Sequence, residues 1–222
     1  MNTFIIDIET IPQDLNMMSE PIRQQLLKYS ETPEDTEHTK AQMALWAPTN
    51  QIVAIGVLEV KSGRGAVYYQ DNGKKTIPFR DGNIVYRSGS EKEILERFWR
   101  VMLKSNQFVT FNGRSLDCPV LMLRSAFLGV RPSKNLMPYR YSSDIHIDLQ
   151  EQLSFYHATK FFSLDMYCRS FGITMPNVGM TGHDMKSEYE RGEHQRIARH
   201  CAGHLIGTKE LYLKWKDLLA FF

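Results

Sequence analysis

Hydrophobic positions in the first sixty residues predict two buried strands with a polar segment between them. Residues 3–8 are apolar and rich in β-branched side chains, as in a buried strand. Residues 51–60, QIVAIGVLEV, form the strongest strand pattern in the chain. Residues 14–48 are polar and contain two candidate amphipathic helices, which begin near Ser19 and Thr32. We therefore interpret residues 14–48 as a helical insertion and not as a second domain.

The rest of the chain alternates strands with helices. Strand patterns at residues 65–70 and 107–111 are interleaved with helical periodicities, which cover residues 90–104, 115–128, 148–156, 163–171 and 193–219. Ser90 and Glu93 form a predicted capping box at the start of the first of these helices. The last of these helices has a predicted apolar stripe, which includes Ile197, Cys201, Leu205, Thr208, Leu211, Tyr212 and Trp215. Strands that come first and then alternate with helices predict an α/β fold over residues 1–222. Its mixed central sheet would be flanked by helices in one domain.

Composition adds limits on location but says little about the ligand. The three cysteines lie far apart without a CxxC pair, which is typical of reduced thiols in a cytoplasmic protein. Asp7 and Glu9 interrupt the early apolar run, so it does not resemble a secretory signal, and no apolar stretch approaches the ~20 residues of a membrane helix. A net charge of +2 neither favours nor excludes nucleic acid. We expect a soluble cytoplasmic protein with no membrane contact.

Asp7 and Glu9 are the first candidates for chemistry. One residue separates them on the predicted first strand, so both side chains project from one face, and Ile6 and Ile8 point to the other. Two neighbouring carboxylates at the end of a buried strand repel each other and lose hydration. A divalent cation such as Mg²⁺ or Mn²⁺ offsets that cost. The alternative is a solvent-exposed strand end with two acids, which is a common arrangement.

Several segments together resemble one enzyme superfamily. They are FIIDIET at the N-terminus, QIVAIGV, VTFNGRSLDCPVL, IDLQEQLSFY, SLDMYCRSFGI and RIARHCAGHLIGTKELYLKW. This set is similar to the DEDD-type 3′–5′ exonucleases, which have an RNase H-like fold. It is most similar to the predicted exonuclease family related to the proofreading domain of family-B DNA polymerases. The resemblance spans nearly the whole chain, and its motifs are specific in combination although each is weak alone.

The resemblance implies a site and a reaction. Asp7 would bridge two divalent ions, Mg²⁺ or Mn²⁺, with Glu9 at the first ion and Asp117 at the second. Such a pair of ions stabilises the attacking and leaving oxygens of an in-line displacement. Thr10, Asn112 and Gly113 would bind the substrate, the 3′ end of single-stranded nucleic acid, with DNA as the expected polymer. The alternative for Asn112 and Gly113 is a plain strand-to-helix turn, because Asn-Gly favours positive φ.

One segment departs from the family pattern. In relatives the last helix carries a Tyr and, four residues later, a fourth acid, whereas this chain has His200 at the Tyr position and His204 at the acid position. The two histidines are four residues apart and share one helix face, so both address one site. In the first interpretation His204 replaces the acid as a metal ligand, and His200 is a general base or orients water because an imidazole titrates near neutral pH. In the second, both are merely packed, and the protein is a nucleic-acid-binding module that has lost catalysis.

Other polar residues receive weaker expectations. Arg114, Arg124, Lys186 and Arg199 are candidates for contacts with backbone phosphates. We expect the remaining histidines at surface or loop positions, namely His146, His157, His183 and His194. Asp184 would supply a missing ligand only if its loop folded inward. Asp144 and Asp148 flank a predicted helix start, where acids stabilise the helix dipole.

Overall fold

The computed structural model describes residues 1–177 and 179–220, except for the side chain of His183, and within these it forms one mixed sheet of seven strands. The strands are β1 (Thr3–Pro12), β2 (Asn50–Glu59), β3 (Gly65–Tyr69), β4 (Phe79–Asp81), β5 (Ile84–Ser88), β6 (Gln107–Thr110) and β7 (His146–Asp148). Their order is β4-β5-β3-β2-β1-β6-β7. β1 runs antiparallel to β2 and parallel to β6. The predicted α/β fold with a mixed sheet is confirmed.

Helices cover both faces of this sheet. They are α1 (Glu20–Leu26), α2 (Pro33–Gln42), α3 (Glu91–Met102), α4 (Asp117–Phe127), α5 (Leu149–Leu153), α6 (Leu164–Ser170), α7 (Gly182–Glu190) and α8 (His194–Leu218). One apolar cluster joins the sheet to α3 and α4, and a second joins the other face to α5, α6, α7 and α8. None of the described helices combines the length and the apolar character needed to cross a membrane.

Most predicted elements are present near their expected positions. The capping box of Ser90 and Glu93 closes the first turn of α3, and the predicted segment 14–48 carries α1 and α2 between β1 and β2. α5 is shorter than predicted. The chain leaves the helix at Ser154 and passes through three successive residues with positive φ, namely Phe155 (50°), Tyr156 (55°) and His157 (68°).

Four elements were not predicted: β4, β5, β7 and α7. β4 and β7 have three residues each, too few for a periodic pattern to emerge. α7 begins at Gly182 in a polar stretch that reads as a loop, but Thr181 and Asp184 form a capping box that starts it.

Candidate active site

β1 presents its two carboxylates to α8. Asp7 and Glu9 lie within ion-pair distance of histidines on α8, while Ile6 and Ile8 pack in the cluster with α3 and α4. The predicted alternation of the strand is therefore confirmed. A bulge follows Glu9, where the register with β2 shifts between Glu9 and Thr10.

Gly56 allows α8 to come this close to the sheet. It lies on β2 directly opposite Asp7. A Cβ atom at Gly56 would stand 2.6 Å from Leu205 Cδ1 and 2.8 Å from Cys201 Sγ. The Cys201 thiol also reaches the Asp7 carbonyl oxygen at 3.8 Å. Gly56 was not among the predicted site residues, although a glycine inside a strong strand pattern marks a close approach of another element.

Two histidines on successive turns of α8 face the carboxylates. His204 Nδ1 lies 3.6 Å from Asp7 Oδ2 and 3.6 Å from Glu9 Oε1. His200 Nε2 lies 3.9 Å from Glu9 Oε1, and the two imidazole ring centres are 4.3 Å apart. The spacing of four residues thus brings both rings to one place, as the sequence predicted.

Burial and mutual repulsion shift the protonation of these groups. Burial, together with the neighbouring Asp7 carboxylate, holds the pKa of Glu9 well above its usual range. Burial lowers the pKa of His204, but Asp7, Glu9 and Asp117 outweigh it and raise that pKa to about 9. In the metal-free protein at neutral pH, His204 is therefore an imidazolium between two acids.

His200 behaves in the opposite way. Burial and the adjacent His204 lower the pKa of His200 to about 4, so its imidazole is neutral at physiological pH. The expectation that His200 titrates near neutral pH was wrong, because a buried imidazole beside an imidazolium resists a second positive charge. A neutral His200 can accept a hydrogen bond but is a weak base.

Asp117 joins the site from the other side of β1. It is the first residue of α4, and its Oδ1 accepts a hydrogen bond from the Ile8 backbone N–H at 3.0 Å. β6 pairs with β1 only as far as Ile5, so Asp117 satisfies a strand N–H that β6 has left unpaired. Burial and the Asp7 charge raise the pKa of Asp117 well above its usual range.

The donor atoms fit a divalent cation. Two groups have ligand atoms within 4.8 Å of one another, Glu9 with His200 and His204, and Asp7 with Glu9 and Cys201. Asp117 belongs to neither group. Asp7 Oδ2 and Glu9 Oε1 are buried and have no hydrogen-bond partner among the described residues. Carboxylate oxygens beside imidazole nitrogen suit Mn²⁺ and similar ions better than Mg²⁺ alone.

Asp148, which the sequence predicts only at a helix start, holds the Asn112-Gly113 turn. Asp148 accepts the backbone N–H groups of Asn112 and Arg114, both at 2.9 Å, and caps α5 through Gln150 at 3.1 Å. Asn112 has the predicted positive φ, 60°. Gly113 is required by packing, since a Cβ there would lie 2.4 Å from Thr110 Oγ1. The tight strand-to-helix turn is therefore a sufficient structural reason for Gly113.

Thr10 is anchored to the insertion. Its hydroxyl donates a hydrogen bond to the Ala44 carbonyl oxygen at 2.7 Å. Through this hydrogen bond Thr10 ties the segment between β1 and β2 to the bulge beside Glu9.

The cations expected to meet phosphates are engaged elsewhere. Arg124 is buried and pairs with Glu91 at 2.6 Å, so the expectation for it was wrong. The other three pair with acids as well, Arg114 with Glu151 at 3.4 Å, Lys186 with Glu190 at 3.8 Å and Arg199 with Asp81 at 3.6 Å.

The histidine and Asp184 expectations have mixed outcomes. His146 and His194 are buried, contrary to expectation, and His157 is exposed as expected. The side chain of His183 lies outside the described part of the chain. The Asp184 side chain accepts the Thr181 backbone N–H at 2.8 Å, so it serves as a helix cap.

Comparison with known proteins gives one family and one fold. Residues 45–220 match the family described as "Predicted 3′-5′ exonuclease related to the exonuclease domain of PolB". The match begins after β1, so Asp7 and Glu9 precede it. The family B DNA polymerase of the hyperthermophilic archaeon Pyrobaculum calidifontis is a structural neighbour with a TM-score of 0.62 and 17% sequence identity. The superposition covers 96% of this chain and 24% of the polymerase. No curated protein matches the chain.

Proposed function

Because the chain belongs to the family of predicted 3′–5′ exonucleases related to the exonuclease domain of PolB, we propose that it is a metal-dependent nuclease. It removes nucleotides from the 3′ ends of single-stranded nucleic acid, with DNA as the expected polymer. The observation that supports it most is the pair of Asp7, which is partly buried, and Glu9, which is buried. Each has a buried oxygen that has no hydrogen-bond partner among the described residues and lies 3.6 Å from His204 Nδ1. A divalent cation would offset the repulsion between two such carboxylates.

Four side chains would hold the metal. Asp7, Glu9 and His204 supply oxygen and nitrogen donors on one side of β1, and Asp117 approaches from the N-terminus of α4. When bound, divalent ions supply positive charge to the attacking and leaving oxygens of an in-line displacement, and we propose two of them. Replacement of the fourth acid by His204 favours Mn²⁺ over Mg²⁺.

The chain's own groups have distinct tasks in this proposal. His200 is neutral, so its imidazole orients a water by accepting a hydrogen bond and is not the main proton acceptor. Asn112 can donate its side-chain amide to the terminal nucleotide, because Asp148 fixes the backbone on either side of Gly113. We also propose that Thr10 contacts the substrate, because its backbone lies at the bulge that follows Glu9.

The proposal also covers organisation and location. We assign residues 1–222 to one exonuclease-like domain with a helical insertion at residues 14–48. We place its action in the cytoplasm, which is supported by three cysteines that are all free and buried.

A nuclease assay with end-labelled strands tests the function. Single strands labelled at the 3′ or the 5′ end are incubated with Mg²⁺, Mn²⁺ or chelator. We expect early release of the 3′ label as mononucleotide, a stepwise shortening of the 5′-labelled strand, a higher rate with Mn²⁺, and no reaction with chelator. Asp7→Asn abolishes the reaction, and the matched control is Asp217→Asn, at an exposed position of α8. Retained activity in Asp7→Asn would remove the proposed site.

One observation favours a second function, a binding module without catalysis. The His204 imidazolium already supplies a positive charge between Asp7 and Glu9, at 3.6 Å from each. A site neutralised in this way retains its shape without metal. Binding of single strands by purified protein that releases no nucleotide with any metal would favour this alternative.

A further inference from the structure

A cavity of about 770 Å³ lies on the face of the sheet away from the candidate active site. Phe4 and Tyr68 line it, and Tyr68 belongs to the apolar cluster on the α3 side of the sheet. Asp7 and Glu9 project from the α8 side and lie further along β1. The sheet therefore separates this cavity from the candidate active site.

Five cations line the cavity, namely Arg64, Arg87, Arg97, Arg100 and Lys104. Arg97 also acts on one acid outside the lining, Glu93, whose pKa is lowered by hydrogen bonds with Ser90 and by the charge of Arg97. Among the described residues, no carboxylate lies within ion-pair distance of any of them. One acid, Glu59, also lines the cavity and accepts a hydrogen bond from Ser62 Oγ at 2.5 Å. The lining thus carries a clear excess of positive charge.

The cations come from different elements and converge. Arg97, Arg100 and Lys104 follow one side of α3 and continue past its end, over about 10 Å at 1.5 Å per residue. A helix dipole stabilises cations near the C-terminus of the helix, and this effect explains only Arg100 and Lys104. Arg64 and Arg87 approach from the β2–β3 turn and from β5, so the dipole does not explain them.

The pKa of Tyr68 is affected by three of these guanidinium groups. Burial raises the pKa of its phenol, and Arg87, Arg97 and Arg100 oppose that rise. These three arginines and Tyr68 all line the same cavity. Arg97 Nη1 donates to the Ser88 carbonyl at 2.6 Å and Arg100 Nε to the Glu96 carbonyl at 3.2 Å, which orients both side chains without cancelling their charge.

We propose that this cavity is a second anion site that binds the backbone phosphates of a nucleic-acid strand, apart from the candidate active site. Guanidinium groups bind phosphate in a bidentate manner, and several cations in a row follow a chain of phosphates better than a single one. The concave shape admits a narrow strand and not a flat membrane surface. The identity of the polymer rests on the proposed function, whereas the preference for phosphate rests on the five cations.

Salt-dependent binding tests the proposal independently of catalysis. The full chain is titrated with a long fluorescent single strand in chelator, across a series of salt concentrations. The variant carries Arg87→Gln, Arg100→Gln and Lys104→Gln, all at exposed positions, and the control carries Lys92→Gln, Lys214→Gln and Lys216→Gln, which removes the same charge from exposed positions outside the cavity. Each lost phosphate contact reduces the salt slope by about 0.7, so the cavity variant should lose about 2 and the control almost nothing.

The outcomes separate this site from the nuclease. Equal slopes and affinities for wild type and cavity variant would overturn the proposal. Inorganic tripolyphosphate and an unlabelled strand are also compared as competitors at equal phosphate concentration. If they compete equally well, the ligand is a free phosphate chain and not a nucleic-acid strand, and the proposal is overturned. If the triple variant does not fold, Arg100→Gln and Lys104→Gln singly should each reduce the slope by about 0.7. Nucleotide release is measured separately with Asp7→Asn, so loss of catalysis does not affect this result.

Discussion

His204 lies between the two carboxylates of β1, with its Nδ1 3.6 Å from Asp7 Oδ2 and 3.6 Å from Glu9 Oε1. Both acids raise the pKa of His204 against the effect of burial, to about 9. Below about pH 6.5 this interaction contributes its full stability, and the contribution is lost as the pH rises through 9. A metal ion at the same place competes with that proton, so metal affinity should increase as the pH rises towards 9.

Replacement of His204 by aspartate should make the stability of the site depend on a bound metal ion. His204→Asp removes the imidazolium and adds a carboxylate, so the melting temperature in chelator should fall and should recover with Mg²⁺. The Mg²⁺-dependent rate should rise by about tenfold or more, because an oxygen donor replaces nitrogen at the ion. Thermal unfolding and nucleotide release with Mg²⁺ measure the two effects.

The matched control is His157→Asp, at an exposed position with positive φ that aspartate tolerates. It should change neither the rate nor the response to Mg²⁺. If wild type, His204→Asp and His204→Ala are all inactive while folded, the binding module replaces the nuclease as the preferred function.

Gly56 should be intolerant of even a methyl group. In Gly56→Ala the new Cβ would stand 2.6 Å from Leu205 Cδ1 and 2.8 Å from Cys201 Sγ. Both side chains are fully buried, so they have little room to move and we expect α8 to shift with them. We expect a loss of about 1–3 kcal/mol of unfolding free energy, typical of overpacking. Urea denaturation measures the loss, and weaker Mn²⁺ binding should accompany it because His204 moves with α8.

Gly182→Ala is the control for this change. Gly182 starts α7, and nothing lies within 4 Å of its added Cβ. Alanine should leave stability unchanged or increase it slightly, since it favours the helix. Equal effects of the two substitutions would contradict the close approach at Gly56.

His146 should make the protein sensitive to acid. Burial, and then the charge of Arg114, lower the pKa of His146 to about 3, and its Nε2 lies 2.8 Å from Thr110 Oγ1. As the pH falls below 6.5, His146 binds a proton in the unfolded chain but not in the folded protein. The free energy of unfolding therefore declines until about pH 3. Between pH 6.5 and 5 the loss from this residue is about 2 kcal/mol.

The variant His146→Gln isolates that contribution. It should be less stable than wild type at neutral pH, yet lose about 2 kcal/mol less between pH 6.5 and 5. Urea midpoints at a series of pH values provide the measurement. Parallel declines for both proteins would show that other groups cause the acid sensitivity.

We expect Arg124 to stabilise the fold, although its charge suggested a contact with backbone phosphates. Its guanidinium pairs with both oxygens of Glu91, and Glu91 Oε1 also accepts the Ile52 N–H at 2.9 Å. Arg124→Leu leaves the buried carboxylate without its cation, at an expected cost of about 3–5 kcal/mol. Arg131→Leu, at an exposed position, should change the urea midpoint little.

The sequence was informative where a local pattern reflects a local cause. The alternation of Ile6, Asp7, Ile8 and Glu9 predicted which side chains share a face, because a strand has a period of two. The apolar stripe of the last helix was also confirmed, since every predicted member of it is buried: Ile197, Cys201, Leu205, Thr208, Leu211, Tyr212 and Trp215.

What the sequence could not predict depends on distant contacts. The lowered pKa of His200 follows from its burial beside His204 and not from its residue type. The burial of His146 follows from its place on β7, an unpredicted strand that pairs with β6. Asp148 was placed at a helix start, and only the fold brings it to the Asn112 and Arg114 amides. Arg124 meets Glu91 across thirty-three positions of sequence.

The short strands at the margins of the sheet have a consequence for behaviour at high concentration. β4 and β7 form the two edges, and each has only three residues. An edge strand exposes backbone donors and acceptors that can pair with a second molecule, and a long flat edge invites such pairing. Here the longest apolar strands, β1 and β2, sit at the centre with partners on both sides. The native protein therefore offers little template for fibril growth, and concentrated solutions should stay free of thioflavin-binding aggregates until the sheet itself opens.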